Sequence, residues 1–174
     1  MLYKIDSGLV ISTSRKPSQI TRRFAQFLKH YFNAVYINRG KSSFTKIVNQ
    51  AKSYDNSLLL IITETKGNPS NINVYNLEKD SENPVRSIYV NVSLPFENNT
   101  VNTDSEDIVF INKVRDFDDF FNGCQKVNPD EKIKRNCIVI RDDDEREYSS
   151  ACFIDKNGND TRYKAYVKGF KVEK

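Results

Sequence analysis

The stretch Ser57 to Thr65, S-L-L-L-I-I-T-E-T, constrains the fold more than any other part of this chain, because five aliphatic residues follow one another between polar ends. A run this apolar and this short is a strand shielded on both faces, so it belongs inside a sheet and not at its edge. Gly67-Asn-Pro breaks the run, and Asn71 to Leu77 then alternates as a partner strand. Gly8 to Thr13 is a second mostly apolar strand, and Ala34 to Ile37 a third. Between them Ile20, Phe24, Phe27, Leu28 and Tyr31 recur at helical spacing, with Arg22, Arg23, Gln26, Lys29 and His30 on the other side. Either Pro17 stands in the first turn of that helix or Ser18 caps it. Asn38-Arg-Gly-Lys-Ser42 is a turn leading to a second helix, about Ser43 to Tyr54, whose apolar stripe is Phe44, Ile47, Val48 and Ala51. The order strand, helix, strand, helix, strand, strand predicts an α/β lobe whose sheet is parallel at its centre and gains an antiparallel hairpin at one side.

Beyond about residue 80 the pattern changes. Arg86 to Leu94 alternates like a strand, Asn98 to Glu106 is polar enough for a loop, and Phe117, Phe120 and Phe121 suggest a short helix. Cys137 to Arg141, Ser149 to Asp155 and Arg162 to Phe170 read as three strands joined by charged or Asn-Gly turns. The expectation is one α/β (α+β overall) domain over residues 1–174, with a basic α/β half at about 1–85 and a β-richer half at about 86–174.

Hydrophobic residues make up 38% and charged residues 29% of the chain, which is a globular composition. No apolar run approaches the ~18 residues of a membrane span, and the start lacks a signal-peptide layout, so a cytoplasmic location and no membrane partner are expected. Cys124, Cys137 and Cys152 are too scattered for a zinc motif or a disulfide framework and read as reduced, mostly buried thiols. Asp142-Asp-Asp-Glu145 reads as a solvated turn, with a divalent metal site as the alternative. His30 lacks carboxylate or cysteine partners at triad-like positions and reads as a surface residue, not a general base. Gly40-Lys-Ser42 lies where a phosphate-binding loop would end, but Val35 occupies the position of the first glycine that such a loop needs.

Charge is the most informative property. The net +4 divides unevenly, since residues 1–80 hold 12 Lys and Arg against 5 Asp and Glu, and the remainder 15 against 18. A basic half beside a mildly acidic one points to a surface that faces a polyanion. Between Arg15 and Lys41 there are seven Lys or Arg and no acidic residue: Arg15, Lys16, Arg22, Arg23, Lys29, Arg39 and Lys41. Guanidinium forks, ammonium groups, hydroxyls and a helix N-terminus with open N–H groups are what phosphate binding requires. In a parallel sheet the turns after the first two strands lie at the same edge, so these charges are expected to converge. Arg22, Arg23 and Lys29 would equally suit a solvated helix face.

The residues that carry this surface also carry a likeness. Over Leu9 to Leu77, the series S-R-K-P-S-x-x-T-R-R-F, V-Y-I-N-R-G-K and L-L-L-I-I-T-E-T-K-G-N-P resembles the N-terminal half of the Brix domain, in the compact form found in archaea. The resemblance implies two similar α/β lobes related to the anticodon-binding domain of class IIa aminoacyl-tRNA synthetases. It implies a role in ribosomal RNA processing and subunit assembly, no catalytic residues and no cofactor. The family's basic motif falls here on Arg15, Lys16, Arg22, Arg23, Arg39 and Lys41, with Lys66 and Asn68 in the hairpin turn as further candidates. The implied partner is ribosomal RNA or its precursor, together with ribosomal or other assembly proteins, bound by a chain that is monomeric in isolation. The rival reading is a protein-interaction scaffold that docks ribosomal proteins and touches RNA incidentally. Tyr163 and Tyr166 in the last strand read as sheet packing, with base stacking as the alternative.

Overall fold

The computed structural model describes residues 9–54, 58–97, 101, 108–112, 136–143, 145 and 148–173. The predicted helix at Phe117 to Phe121, nearly all of the predicted loop at 98–106, and Cys124 lie outside them.

Strand β1 (Leu9–Thr13) is buried at every position, as an apolar central strand should be. Helix α1 (Gln19–Tyr31) follows, and Ser18 is its cap, the hydroxyl accepting a hydrogen bond from the Thr21 N–H at 3.2 Å. Pro17 therefore precedes the cap and is not in the first turn. The buried stripe begins at Thr21 and continues through Phe24, Ala25, Phe27, Leu28 and Tyr31, whereas Ile20 is 40% exposed. The sequence stripe placed Ile20 inward, but the first inward position belongs to Thr21, whose hydroxyl has a partner in the sheet. Past the helix end Asn33 turns left-handed at φ 48°, and the chain enters β2 (Val35–Tyr36), a two-residue edge strand. Ser43 caps α2 (Phe44–Lys52) by accepting from the Lys46 N–H, and Ile47 and Ala51 are its buried residues.

The apolar run forms β3 (Leu58–Thr65), which pairs parallel to β1 and antiparallel to β4 (Asn68–Asn76). Lys66 and Gly67 link them with φ of 51° and 80°, the backbone of a two-residue hairpin turn of the primed kind. The strand thus resumes at Asn68 and not at Asn71, because a bulge beside Glu64 lets buried Pro69 sit in the strand where a ladder N–H is not required. Strand β5 (Arg86–Ser93) pairs with β4 on one side and with β9 (Asp160–Val172) on the other. Beyond β9 lie β8 (Ser149–Ile154), β7 (Asn136–Asp142) and β6 (Ile108–Asn112), the last of which was not among the expected strands.

All nine strands among the described residues join one mixed sheet in the order β2-β1-β3-β4-β5-β9-β8-β7-β6. Outward from the β5/β9 seam the two halves follow the same rule. The pairs β5/β4 and β4/β3 are antiparallel and β3/β1 is parallel, while β9/β8 and β8/β7 are antiparallel and β7/β6 is parallel. The chain is therefore α/β with two similar halves, and the first has the parallel centre and flanking hairpin that its element order implied.

Helix α1 lies on one face and α2 on the other. The α1 face holds a core that runs through both halves, from Leu9, Ile11 and Ile62 to Ile138, Phe153, Tyr163 and Val167. Phe27 stacks on Tyr163 with centroids 3.8 Å apart and meets Phe153 edge-on at 5.2 Å. The Tyr31 hydroxyl donates to the Ile154 carbonyl at 2.9 Å, and burial drives the pKa of that phenol upward. Tyr163 is accordingly a core residue. On the opposite face α2 covers only Val10, Leu59, Ile61 and their neighbours. Cys137 and Cys152 are buried thiols, in keeping with their reading from the sequence.

Candidate functional site

Three parallel strands end at one edge of the sheet, and the loops that leave them carry most of the basic residues singled out in the sequence. After β1 come Arg15 and Lys16, both exposed, and Lys16 holds a left-handed backbone at φ 49°. After β2 come Arg39 and Lys41. The two loops touch, since Arg15 Nε donates to the Ser42 carbonyl at 3.3 Å and Arg39 Nε donates to the same oxygen at 2.9 Å. Burial and the neighbouring Arg15 charge both push the Arg39 pKa down. Two guanidinium groups held on one carbonyl oxygen repel each other, and an anion between them would relieve that repulsion. The β3-β4 turn adds Lys66 and the exposed Asn68 at the same edge.

The start of α1 closes the rim, but not as an open anion site. Glu64 of β3 reaches it first. Its Oε2 accepts from the Ser18 N–H at 3.0 Å and from the Thr21 hydroxyl at 2.5 Å, and the Ser18 hydroxyl donates to the Gly67 carbonyl at 2.7 Å. Burial raises the pKa of this carboxylate, but the hydrogen bonds from Thr21 and Ser18 outweigh burial and hold Glu64 below the usual carboxylate range. Protein oxygens thus take the Ser18 and Thr21 N–H groups of this terminus, which narrows the expectation of free N–H groups there. Glu64→Ala is expected to cost about 1 kcal/mol, as other lost helix caps do, measured by urea unfolding at neutral pH. A folded-state pKa below the unfolded value makes this a contribution present at neutral pH and lost as pH falls through the folded pKa. Glu64→Gln should therefore flatten part of the acid limb of stability against pH.

The basic residues of α1 separate into three roles. Arg22 is exposed near the rim. Arg23 is half-buried and donates Nη2 to the Pro95 carbonyl at 2.8 Å, tying α1 to the segment after β5, while its Nε is buried with no hydrogen-bond partner. Lys29 stands eleven residues past the cap, roughly 16 Å along the helix, so it does not join the rim. His30 is exposed at that same far end.

Among the described residues the one ion pair joins Lys52 Nζ and Asp80 Oδ1 at 3.2 Å, at the opposite side of the first half. The rim cations are thus without carboxylate partners among those residues. The acidic run lies at the end of β7, where Asp143 Oδ1 accepts from the Glu145 N–H at 3.1 Å; Asp144 is outside the described residues. Among the described residues no group of three His, Cys, Asp or Glu side chains could hold a metal, and no helix is long and apolar enough to cross a membrane.

One rim residue escaped the sequence reading. Phe96, three residues past the end of β5, is fully exposed, although the chain before it is anchored by buried Pro95 and its hydrogen bond to Arg23. A lone phenylalanine beside a polar stretch gives no local signal of exposure.

No model of a known protein family matches the chain. The chain is similar to proteins described as probable Brix domain-containing ribosomal biogenesis proteins. The likeness is 46% identity over 66 residues to one from Archaeoglobus fulgidus, covering 38% of this chain and 40% of the relative. To one from Methanococcus maripaludis it is 35% identity over 72 residues, covering 41% of each. The match thus spans about two fifths of the length of these curated relatives. Among solved structures the chain is similar to Mil, an archaeal Imp4-like protein, with a TM-score of 0.74, 26% identity, and coverage of 95% of this chain and 99% of that one. It shares its fold with a probable ribosomal biogenesis protein from Aeropyrum pernix, with a TM-score of 0.68, 21% identity, and coverage of 93% and 96%.

Proposed function

We propose that this chain is an assembly factor of ribosome biogenesis that holds ribosomal RNA or its precursor through phosphate contacts along the basic rim, and that it catalyses no reaction. The observation that carries the proposal is the meeting of Arg15 and Arg39 on the Ser42 carbonyl, with no carboxylate partner for either among the described residues. Lys16, Lys41 and Lys66 extend the positive edge, Arg22 flanks it, and Phe96 offers a flat apolar ring on which a base could stack. Similarity to ribosomal biogenesis proteins supplies the class of polyanion. Phosphate contacts position a protein on RNA without reading bases, so the surface suits a factor that recognises RNA shape.

The rival is a scaffold docked through the second half to a ribosomal protein, which the acidic balance of residues 81–174, 15 Lys and Arg against 18 Asp and Glu, favours. Salt separates the two. Binding of a ribosomal RNA fragment through about five rim cations predicts a log–log slope of roughly −3 to −5, an affinity loss on the order of 10²-fold between 50 and 200 mM salt. A flat salt response, or the failure of crosslinking in cells to recover ribosomal RNA or its precursor, would overturn the RNA reading and leave the scaffold.

A further inference from the structure

The face of the sheet opposite α1 carries a second surface, made by β4, β5 and β9. Strand alternation sends Ile72, Ile88, Val90 and Tyr163 to the core under α1, and so turns Asn71, Tyr89, Asn91, Lys164 and Tyr166 the other way. Among the described residues helix α2 covers this face over β1, β3 and the far end of β4, where Phe44 meets Tyr75 at 4.9 Å. Tyr89 is 40% exposed, and Asn91 is exposed beside it.

The register gives this surface its shape. Tyr89 lies between Asn71 on β4 and Gly169 on β9, so one flank of its ring has no facing side chain. A Cβ built on Gly169 meets nothing within 4 Å, which shows that the tyrosine does not fold over the glycine to fill the gap. Gly169 stands beside the bulge that shifts the β5–β9 register between Tyr89 and Val90, and glycine inside a strand marks either such a bulge or the close approach of another group. Two residues along β5, Asn91 faces Tyr166, and Lys164 Nζ lies 5.8 Å from the centre of the Tyr166 ring. None of these face positions is acidic, and the cation stands at the end nearer the rim, where Lys164 pairs with Ser93.

We propose that this face is a stacking platform for unpaired RNA, in which one base lies on Tyr89 in the gap left by Gly169 and the strand continues past Asn91 and Tyr166 toward Lys164. An open flat ring binds any base through its π-face, the asparagine amides match base edges, and the lysine supplies phosphate contact. A duplex keeps its bases stacked on one another, so it cannot use the platform. The proposal rests on the RNA reading above, but it concerns different residues and a different form of RNA.

The test measures binding of two probes at fixed salt, a 12-nucleotide single-stranded RNA and a 12-base-pair RNA duplex. Tyr89→Ala should weaken the single strand about 5- to 100-fold and leave the duplex within about twofold. Tyr89→Phe should bind both as the parent does, because stacking needs the ring and not the hydroxyl. Gly169→Val, a substitution with open space around it and good strand propensity, should also weaken the single strand by filling the gap. Unchanged single-strand binding by Tyr89→Ala and Gly169→Val overturns the platform while the RNA reading stands. Equal loss for both probes also overturns it, since the face would then act through charge or folding alone. A parent protein that binds neither probe overturns both readings.

Discussion

Phe27→Ala is expected to lower stability by about 3 to 5 kcal/mol, the range for removing a large aromatic side chain from a packed core. In a domain of this size that corresponds to a fall in Tm of roughly 6 to 20 °C. The magnitude follows from where the ring sits. Phe27 is 5% exposed, lies parallel to Tyr163 at 3.8 Å, meets Phe153 edge-on at 5.2 Å, and is 5.5 Å from Tyr31. Tyr163 and Phe153 belong to β9 and β8, so the substitution removes the contact through which a helix of the first half grips the strands of the second. Neighbouring side chains are themselves rings fixed by one another, and such a cluster collapses poorly into a void, which favours the upper part of the range. Urea unfolding should show the shift in midpoint with one transition retained. A loss under about 1 kcal/mol would mean that α1 does not pack on β8 and β9. Phe27→Leu, which refills much of the volume, should recover most of the loss.

The triple variant Arg15→Ala, Arg39→Ala, Lys41→Ala is expected to reduce RNA affinity on the order of 10²-fold at low salt and to flatten the salt slope by roughly 2 to 3 units. Each of the three side chains projects from a loop at one sheet edge, and none has a carboxylate partner among the described residues. Their removal therefore leaves no buried charge behind. Of the lost bonds to the Ser42 carbonyl, that from Arg15 at 3.3 Å is exposed and that from Arg39 at 2.9 Å is half-buried, so the cost in stability should stay at about 1 to 2 kcal/mol. Affinity and slope should fall together, because each phosphate contact releases counterions. A loss of affinity with an unchanged slope would place the phosphate contacts elsewhere. Arg23 is unsuited to such a test, because its bond to Pro95 joins α1 to the segment after β5, and its loss would mix folding with binding. Arg22, exposed one residue earlier, is the cleaner probe of the helix.

The comparison of sequence with structure turns on the range over which each signal acts. Strand β1, the Ser18 cap alternative, the apolar faces of both helices and the β3-β4 hairpin were legible because each depends on a few neighbouring residues: a run, a hydroxyl, a period or a glycine. The rim was legible in part for the same reason, since parallel strands place their following loops at one edge and the charges of those loops were in plain view. Failures came where a distant residue took a local position. Ile20 fits the helical stripe, but Thr21 turns inward to serve Glu64, which lies 43 residues away. Lys29 shares its helix with Arg22 yet stands a helix length from the rim. Strand β6 pairs only with β7 among the described strands, and its short run Ile108-Val-Phe-Ile111 was passed over in the sequence reading although it is a strand pattern.

By itself the sequence determined the kinds of element, their order through the first half, and the segregation of positive charge toward the N-terminal loops. Those properties follow from backbone preference, side-chain period and covalent neighbourhood. Tertiary structure alone decided that β5 joins β9 to make one sheet, that α1 bridges both halves, that Glu64 fills the α1 terminus, and that Tyr89 faces a glycine across an open face. Each of these is a pairing between residues far apart in the chain, selected by the packing of the whole core and its strand register, and no short window of sequence contains both partners.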